Sequence, residues 1–330
     1  MRLFFKWGSE HENMVKSCFC NANMAIFIRF AASHNKKISR QTKQQRPKSG
    51  AKQMMEQFIT LDIVNLCALL FVILIGLPHG AFDGAIAAHL GAGKSAYTVA
   101  KFIILYGLTS ATIIALWIAL PGEMLALFLI ISVIHFGWGD ASAKFGLPFF
   151  VQIVLHGGVP VFGIIYFHPD EVVSLFSILT FGAPDLAMKL GQLAAPILLC
   201  LGVLYAVLAL NESALRRRFI EIIIITALLA ALPPLVGFAL YFCIIHTSRH
   251  MQRIWHILTS TAAPKRLIMQ AAGYTIASWL FGGVAFLWLN ESTLEAELIQ
   301  IIFIGLAALT VPHMILVDGF FRTERKGHSE

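Results

Sequence analysis

The chain has 330 residues, of which 58% are hydrophobic and 13% charged, against about 25% charged in ordinary soluble domains. Its formal charge of +7 is not spread over one surface: residues 1–57 carry 11 Lys/Arg and 3 Asp/Glu, and the rest of the chain carries 14 and 15. That distribution excludes a basic nucleic-acid-binding face and points to a near-neutral membrane body behind a basic tail that sits near anionic lipid on the cytoplasmic side.

Residues 1–57 show no regular pattern. The stretch 34–52 (HNKKISRQTKQQRPKSGAK) has almost no apolar content and reads as disordered. The apolar patch at 24–32 is too short to span a bilayer, and no cleavable signal-peptide pattern is visible. From 58 to 320 the chain reads as a membrane body, because runs of roughly 20 apolar residues are of spanning length. Candidate spans lie at 59–77, 97–120, 123–139, 149–167, 187–210, 218–246, 267–289 and 297–317. A weaker piece, 172–182, reads as a short ninth pass or a re-entrant turn. Pro233-Pro234 should break the sixth segment, since proline removes a backbone donor and clashes with the preceding turn. The expected fold class is therefore all-α: a polytopic integral-membrane helical bundle of eight helices, or nine, some of them broken, ending in a polar tail at 321–330. With eight simple passes His79 and His135 end spans on one side while His246 falls on the other. An extra crossing, at 172–182 or at Pro233-Pro234, removes that conflict. Five cysteines without a CxxC pair imply no disulfide framework.

Four short strings place imidazoles in or beside these apolar runs: PHG at 78–80, HFGWGD at 135–140, HGGVP at 156–160 and HTSRH at 246–250. An ionisable ring at bilayer depth is costly unless partnered, which makes such histidines candidates for a functional site. His246 and His250 form an H-x3-H pair, which on a helix puts both rings on one face; the plain alternative is a polar helix end. His79, between Pro78 and Gly80, has Asp83 four residues on, a carboxylate placed to accept its second ring proton; the alternative is a capped loop histidine. His135 sits late in the third span beside glycines that permit close packing, and Asp140 is either a supporting acceptor or a helix end. His156 opens a bent segment and reads as a supporting donor or a pocket wall. His313, after Pro312 in the last span, stays open.

Imidazole suits Zn, Cu, Fe and Ni. Several neutral imidazoles without a carboxylate differ from the two-His-one-carboxylate oxygenase triad and from the Glu-x-x-His pattern of di-iron bundles. Open positions on such an ion can take dioxygen beside a substrate arriving from the lipid.

The strings GLPHGAFD, IHFGWGD, LHGGVP and HTSRHM, in that order, resemble the Brp/Blh family of integral-membrane β-carotene 15,15′-dioxygenases over roughly 60–320. The resemblance implies cleavage of the central double bond of β-carotene with O2 to two retinal molecules. It also implies a non-haem Fe(II) centre with no organic cofactor, iron ligands at His79, His135, His246 and His250, and a functional link to a retinal-binding opsin. The simplest location is a prokaryotic inner membrane. Two other readings stay in view: a histidine-rich transporter, which broken helices would also suit, and a carotenoid- or retinal-binding accessory protein without turnover. A desaturase-like enzyme is disfavoured, because the chain has one H-x3-H pair rather than several clustered histidine boxes.

Overall fold

The computed structural model describes residues 63–141, 146–288 and 294–327, apart from the side chains of His79, Asn211 and residues 318–327. The basic tail 1–57 lies outside the described residues, and these contain no strand. Among the described residues, seven helices are long and apolar enough to cross a membrane: α1 (Ile63–Ala92), α2 (Ala96–Ala119), α3 (Pro121–Asp140), α4 (Leu147–Phe167), α6 (Asp185–Leu210), α10 (Pro264–Trp288) and α11 (Leu294–Gly327), of which Leu294–Val317 is the apolar part. The protein is an all-α multi-pass membrane bundle.

Four further helices cover the expected elements at 172–182 and 218–246. Helix α5 (Pro169–Leu179) replaces the expected short pass near 172–182. Its eleven residues span about 16 Å, half of a hydrocarbon core of about 30 Å. The expected sixth span, 218–246, is not one helix. Helix α7 (Ser213–Ala231) ends at Leu232 and Pro233, both extended, and α8 (Pro234–Leu240) starts afresh with proline in its first turn. A Cβ on Gly237 would stand 3.1 Å from Leu229 Cδ2. A straight helix would hold residues eight apart at about 12 Å, so the chain turns back on itself at the two prolines. Helix α8 then passes through a π-helical turn (Tyr241–His246) into α9 (Thr247–Thr261). Helix α9 is amphipathic, with Thr247, His250, Ile254 and Leu258 on its buried face.

Wide π turns recur beside the histidine motifs. Val72–Gly76 precedes PHG, Val159–Gly163 follows His156, and Tyr241–His246 ends on the first member of the H-x3-H pair. Such turns open the i→i+4 ladder and are frequent at functional sites. After the first of them, Pro78 lies in a tight 3₁₀ stretch (Leu77–Phe82).

Close helix approach sets the frame. A Cβ on Gly157 of α4 would collide with the backbone carbonyl of Val133, and one on Gly137 of α3 with that of Ile153. The backbones of α3 and α4 thus touch through paired glycines, as small residues allow in membranes. Gly157→Ala should therefore push the helices apart and cost about 1–3 kcal/mol, the usual range for overpacking. Gly202→Ala, where no atom lies within 4 Å, should be neutral; thermal unfolding of the two variants in detergent checks the contrast.

Candidate functional site

Four imidazoles from three separate parts of the chain meet inside the bundle. His135 comes from α3, His246 and His250 from the π turn and the start of α9, and His313 from α11. Ring centroids lie 4.9 Å apart for His135–His246, 5.5 Å for His135–His313 and 6.0 Å for His135–His250. The separations are 5.9 Å for His246–His250 and 5.1 Å for His250–His313. The H-x3-H rings are nearly parallel, 14° apart, as i,i+4 side chains on one face should be. His246, His250 and His313 are all buried. The side chain of His79 is outside the described residues, but its 3₁₀ turn borders the cluster: a Cβ on the next residue, Gly80, would lie 4.0 Å from His313 Nδ1.

The string HFGWGD can be read residue by residue. His135 faces the other imidazoles, and Phe136 packs its ring 4.6 Å from that of His246. Gly137 admits the backbone of α4, and Trp138 points outward against Phe149. Gly139 leaves room for His246, whose Cε1 would be 3.4 Å from an added Cβ, and its carbonyl accepts from Arg253 of α9. Asp140 is 1% exposed and accepts from Tyr241 Oη at 3.1 Å.

The side chain of His79, expected as the partner of Asp83, lies outside the described residues. Asp83 has partners on two other helices. Its Oδ1 accepts from His313 Nδ1 at 2.7 Å and its Oδ2 from Tyr106 Oη at 2.8 Å. With Nδ1 engaged, His313 keeps Nε2, on the opposite edge of its ring, for the cluster. A carboxylate on the outer nitrogen fixes tautomer and ring orientation and raises the basicity of the inner nitrogen. Sequence reasoning left His313 open; the signal it carried is the repeated Pro-His dipeptide, at 78–79 and 312–313.

Asp140 is the last residue of α3, a helix end as one of its two readings had it, and makes no hydrogen bond to His135, His246, His250 or His313. It holds Tyr241, and it faces Arg249 Nη1 at 3.6 Å. Arg249 pairs with Glu221 of α7 at 2.6 Å, and Glu221 pairs with Arg218 at 3.0 Å. His156 is fully buried, 3.9 Å from Glu221, and lines neither the cluster nor the cavity described next. These side chains tie the helix that carries the H-x3-H pair to α3 and α7.

A narrow, largely apolar cavity of about 100 Å³ adjoins the histidines, smaller than the range of about 300–1,000 Å³ for ligand sites. His135 and Thr310 stand at one end and α5 at the other. Phenylalanines 128, 176, 238 and 303 are among the walls, and Ser132 is the remaining polar lining residue.

A metal ion fixes the distance between the nitrogens that bind it. Two imidazole nitrogens bound to one ion at about 2.1 Å each lie about 3.0–3.4 Å apart at angles of 90–110°. His135 Nε2 and His246 Nε2 are 3.3 Å apart. That pair fits. Among the described residues, no group of three or more His, Cys, Asp or Glu is placed to hold a metal ion.

The chain matches the model of a family described as beta-carotene 15,15′-dioxygenase over residues 70–321, a stretch that contains all the motifs above. It is 38% identical to a beta-carotene 15,15′-dioxygenase of an uncultured marine bacterium, 66A03, over 79% of this chain and 96% of the relative. It is 24% identical to a probable beta-carotene 15,15′-dioxygenase Blh of Halobacterium salinarum, over 76% of this chain and 83% of the relative. No solved structure matches it. With the family model covering most of its length and a relative of this identity aligned almost end to end, the chain belongs to the β-carotene 15,15′-dioxygenase family.

Proposed function

We propose that this protein splits the central 15,15′ double bond of β-carotene with O2, forming two molecules of retinal. The observation that carries this reading is the double position of His135. Its ring forms part of the wall of the apolar cavity while its Nε2 lies 3.3 Å from that of His246. A polyene in the cavity would thus lie directly against the imidazole cluster. The balance is simple: one oxygen atom of O2 goes to each carbon of the double bond, which breaks to give two aldehydes.

The cofactor in this proposal is Fe(II), held by His79, His135, His246 and His250, with His313 turned toward the same point by Asp83. When bound, ferrous iron supplies the electrons that let dioxygen react with a closed-shell alkene. The chain supplies the rest. The H-x3-H helix and α3 present nitrogen donors from fixed directions. Asp83 and Tyr106 hold His313 in one tautomer. The phenylalanine-lined cavity excludes water and restrains the polyene so that one double bond of many stays near the donors. No residue needs to remove a proton, since the reaction as written moves none. A bilayer-embedded site suits a substrate that dissolves in lipid. A prokaryotic inner membrane is the proposed location, and a retinal-binding opsin is the proposed consumer of the product.

Expression in a bacterium that makes β-carotene tests this reading. Wild-type protein should bleach the cells and yield retinal by chromatography; persistent colour without retinal would sink it. His79→Ala, His135→Ala, His246→Ala and His250→Ala should each abolish bleaching while the protein still inserts in the membrane. Full activity in any one of them would remove that residue from the proposed ligand set. Asp83→Asn, which keeps size but loses charge, should lower iron affinity by about 10–100-fold, the usual effect of losing a carboxylate behind a metal-binding histidine. Titration of the purified protein with Fe(II) under anaerobic conditions measures that loss.

A further inference from the structure

Helix α5 is too short to cross the bilayer, yet it is buried along one face and fastened at its end. Val172, Leu175, Phe176 and Leu179 have i, i+3, i+4, i+7 spacing and all line the cavity. Its last-turn carbonyls are taken up by side chains from two other helices. Trp117 Nε1 of α2, itself 0% exposed, donates to Leu179 O at 2.9 Å, and Gln300 Nε2 of α11 donates to Ile178 O at 3.1 Å. Thr180 Oγ1 donates to Phe176 O at 2.7 Å and accepts from Ala183 N at 3.1 Å. Carbonyls at a helix end need such partners; here they come from buried groups in the bundle, which makes α5 a fixed wall.

That wall stands at a defined distance from the histidines. Helices α3 and α11 both start beside α5 and run toward the imidazole cluster. A Cβ on Gly122, in the first turn of α3, would lie 3.2 Å from Ala183 O, and Gln300 of α11 bonds α5 directly. From Leu125 to His135 along α3 is about 15 Å, and from Ile299 to Thr310 along α11 about 16 Å. The two helices measure the same depth, comparable with one half of a β-carotene molecule.

We propose that α5 is the stop that selects the double bond to be cleaved: the ring of one half of the substrate abuts Val172 and Leu175, which leaves the central double bond at the histidines. This rests on the reading of the chain as a β-carotene dioxygenase. Deepening the cavity lets the substrate slide inward, so the bond presented to the cluster moves one double bond outward. One oxygen atom of O2 still goes to each carbon of that bond. The products are then an aldehyde two carbons longer than retinal and a methyl ketone two carbons shorter.

The test is the product profile of full-length protein in β-carotene-producing cells, resolved by chromatography and mass spectrometry. Wild type should give retinal alone. Leu175→Ala, alone and with Val172→Ala, should add the longer aldehyde and the shorter ketone in equal amounts. Val173→Ala, on the same helix but away from the cavity lining, should leave retinal as the sole product. Misfolding lowers yield without changing which bond breaks, so product identity separates a gauge from a structural support. Retinal alone from both cavity variants, at any yield, overturns the proposal. Absence of retinal from wild type would instead overturn the functional reading, and this inference with it.

Discussion

The approach of two imidazole nitrogens, His135 Nε2 and His246 Nε2, to 3.3 Å is the constraint around which the bundle is arranged. Local departures from regular structure surround it. Paired glycines let α3 and α4 touch backbone to backbone, and the Pro233-Pro234 break reverses the chain so that α8 and α9 return to α3. The π turn at Tyr241–His246 then rotates the end of that segment and puts His246 and His250 on one inward face. Proline and glycine are normally liabilities in helices. Here they cluster where the helices must deviate.

A histidine cluster in an apolar bundle also needs its helices held against rotation, and two polar assemblies do this at opposite sides. On one side Asp83 joins α1, α2 and α11 through Tyr106 and His313. On the other, Asp140, Tyr241, Arg249 and Glu221 join α3, the α8–α9 segment and α7. Asp140 is buried while Arg249 and Glu221 are partly exposed, so the cost of losing Arg249 falls chiefly on the Asp140 carboxylate. The register of α9 is therefore well determined: a one-residue slip would move Arg249 away from both carboxylates as well as the H-x3-H pair away from His135.

Much of this was legible in the chain because the deviations require particular residue types. The H-x3-H spacing, the double proline and the glycines of HFGWGD each name a local geometry, and the structure places His135, His246 and His250 together. What could not be read was the pairing of Asp83 with His313, 230 residues away in sequence: it is a tertiary contact, made because α11 borders the PHG turn. His156 read as a supporting donor or a pocket wall; it lies beside Glu221, and its neighbouring glycines serve the packing of α3 on α4 and of Leu198 against Gly158. The division of 218–246 was legible in the proline pair: α7 ends just before it and α8 starts at Pro234. The basic tail lies outside the described residues.

A cavity closed by α5 on one side of the cluster raises the question of what measures the other half of the substrate. For a symmetrical polyene nothing need do so. If one ring is halted at a fixed distance from the donors, and that distance equals half the molecule, the bond at the donors is the central one. The second half can then lie in a less restrictive environment, including the lipid itself, without loss of positional accuracy. A single rigid gauge suffices only because the substrate's two halves are identical, and its accuracy depends on the rigidity of the stop. That gives a physical role to the buried Trp117 and Gln300 side chains, which hold the end of a helix that crosses nothing and carries none of the clustered histidines.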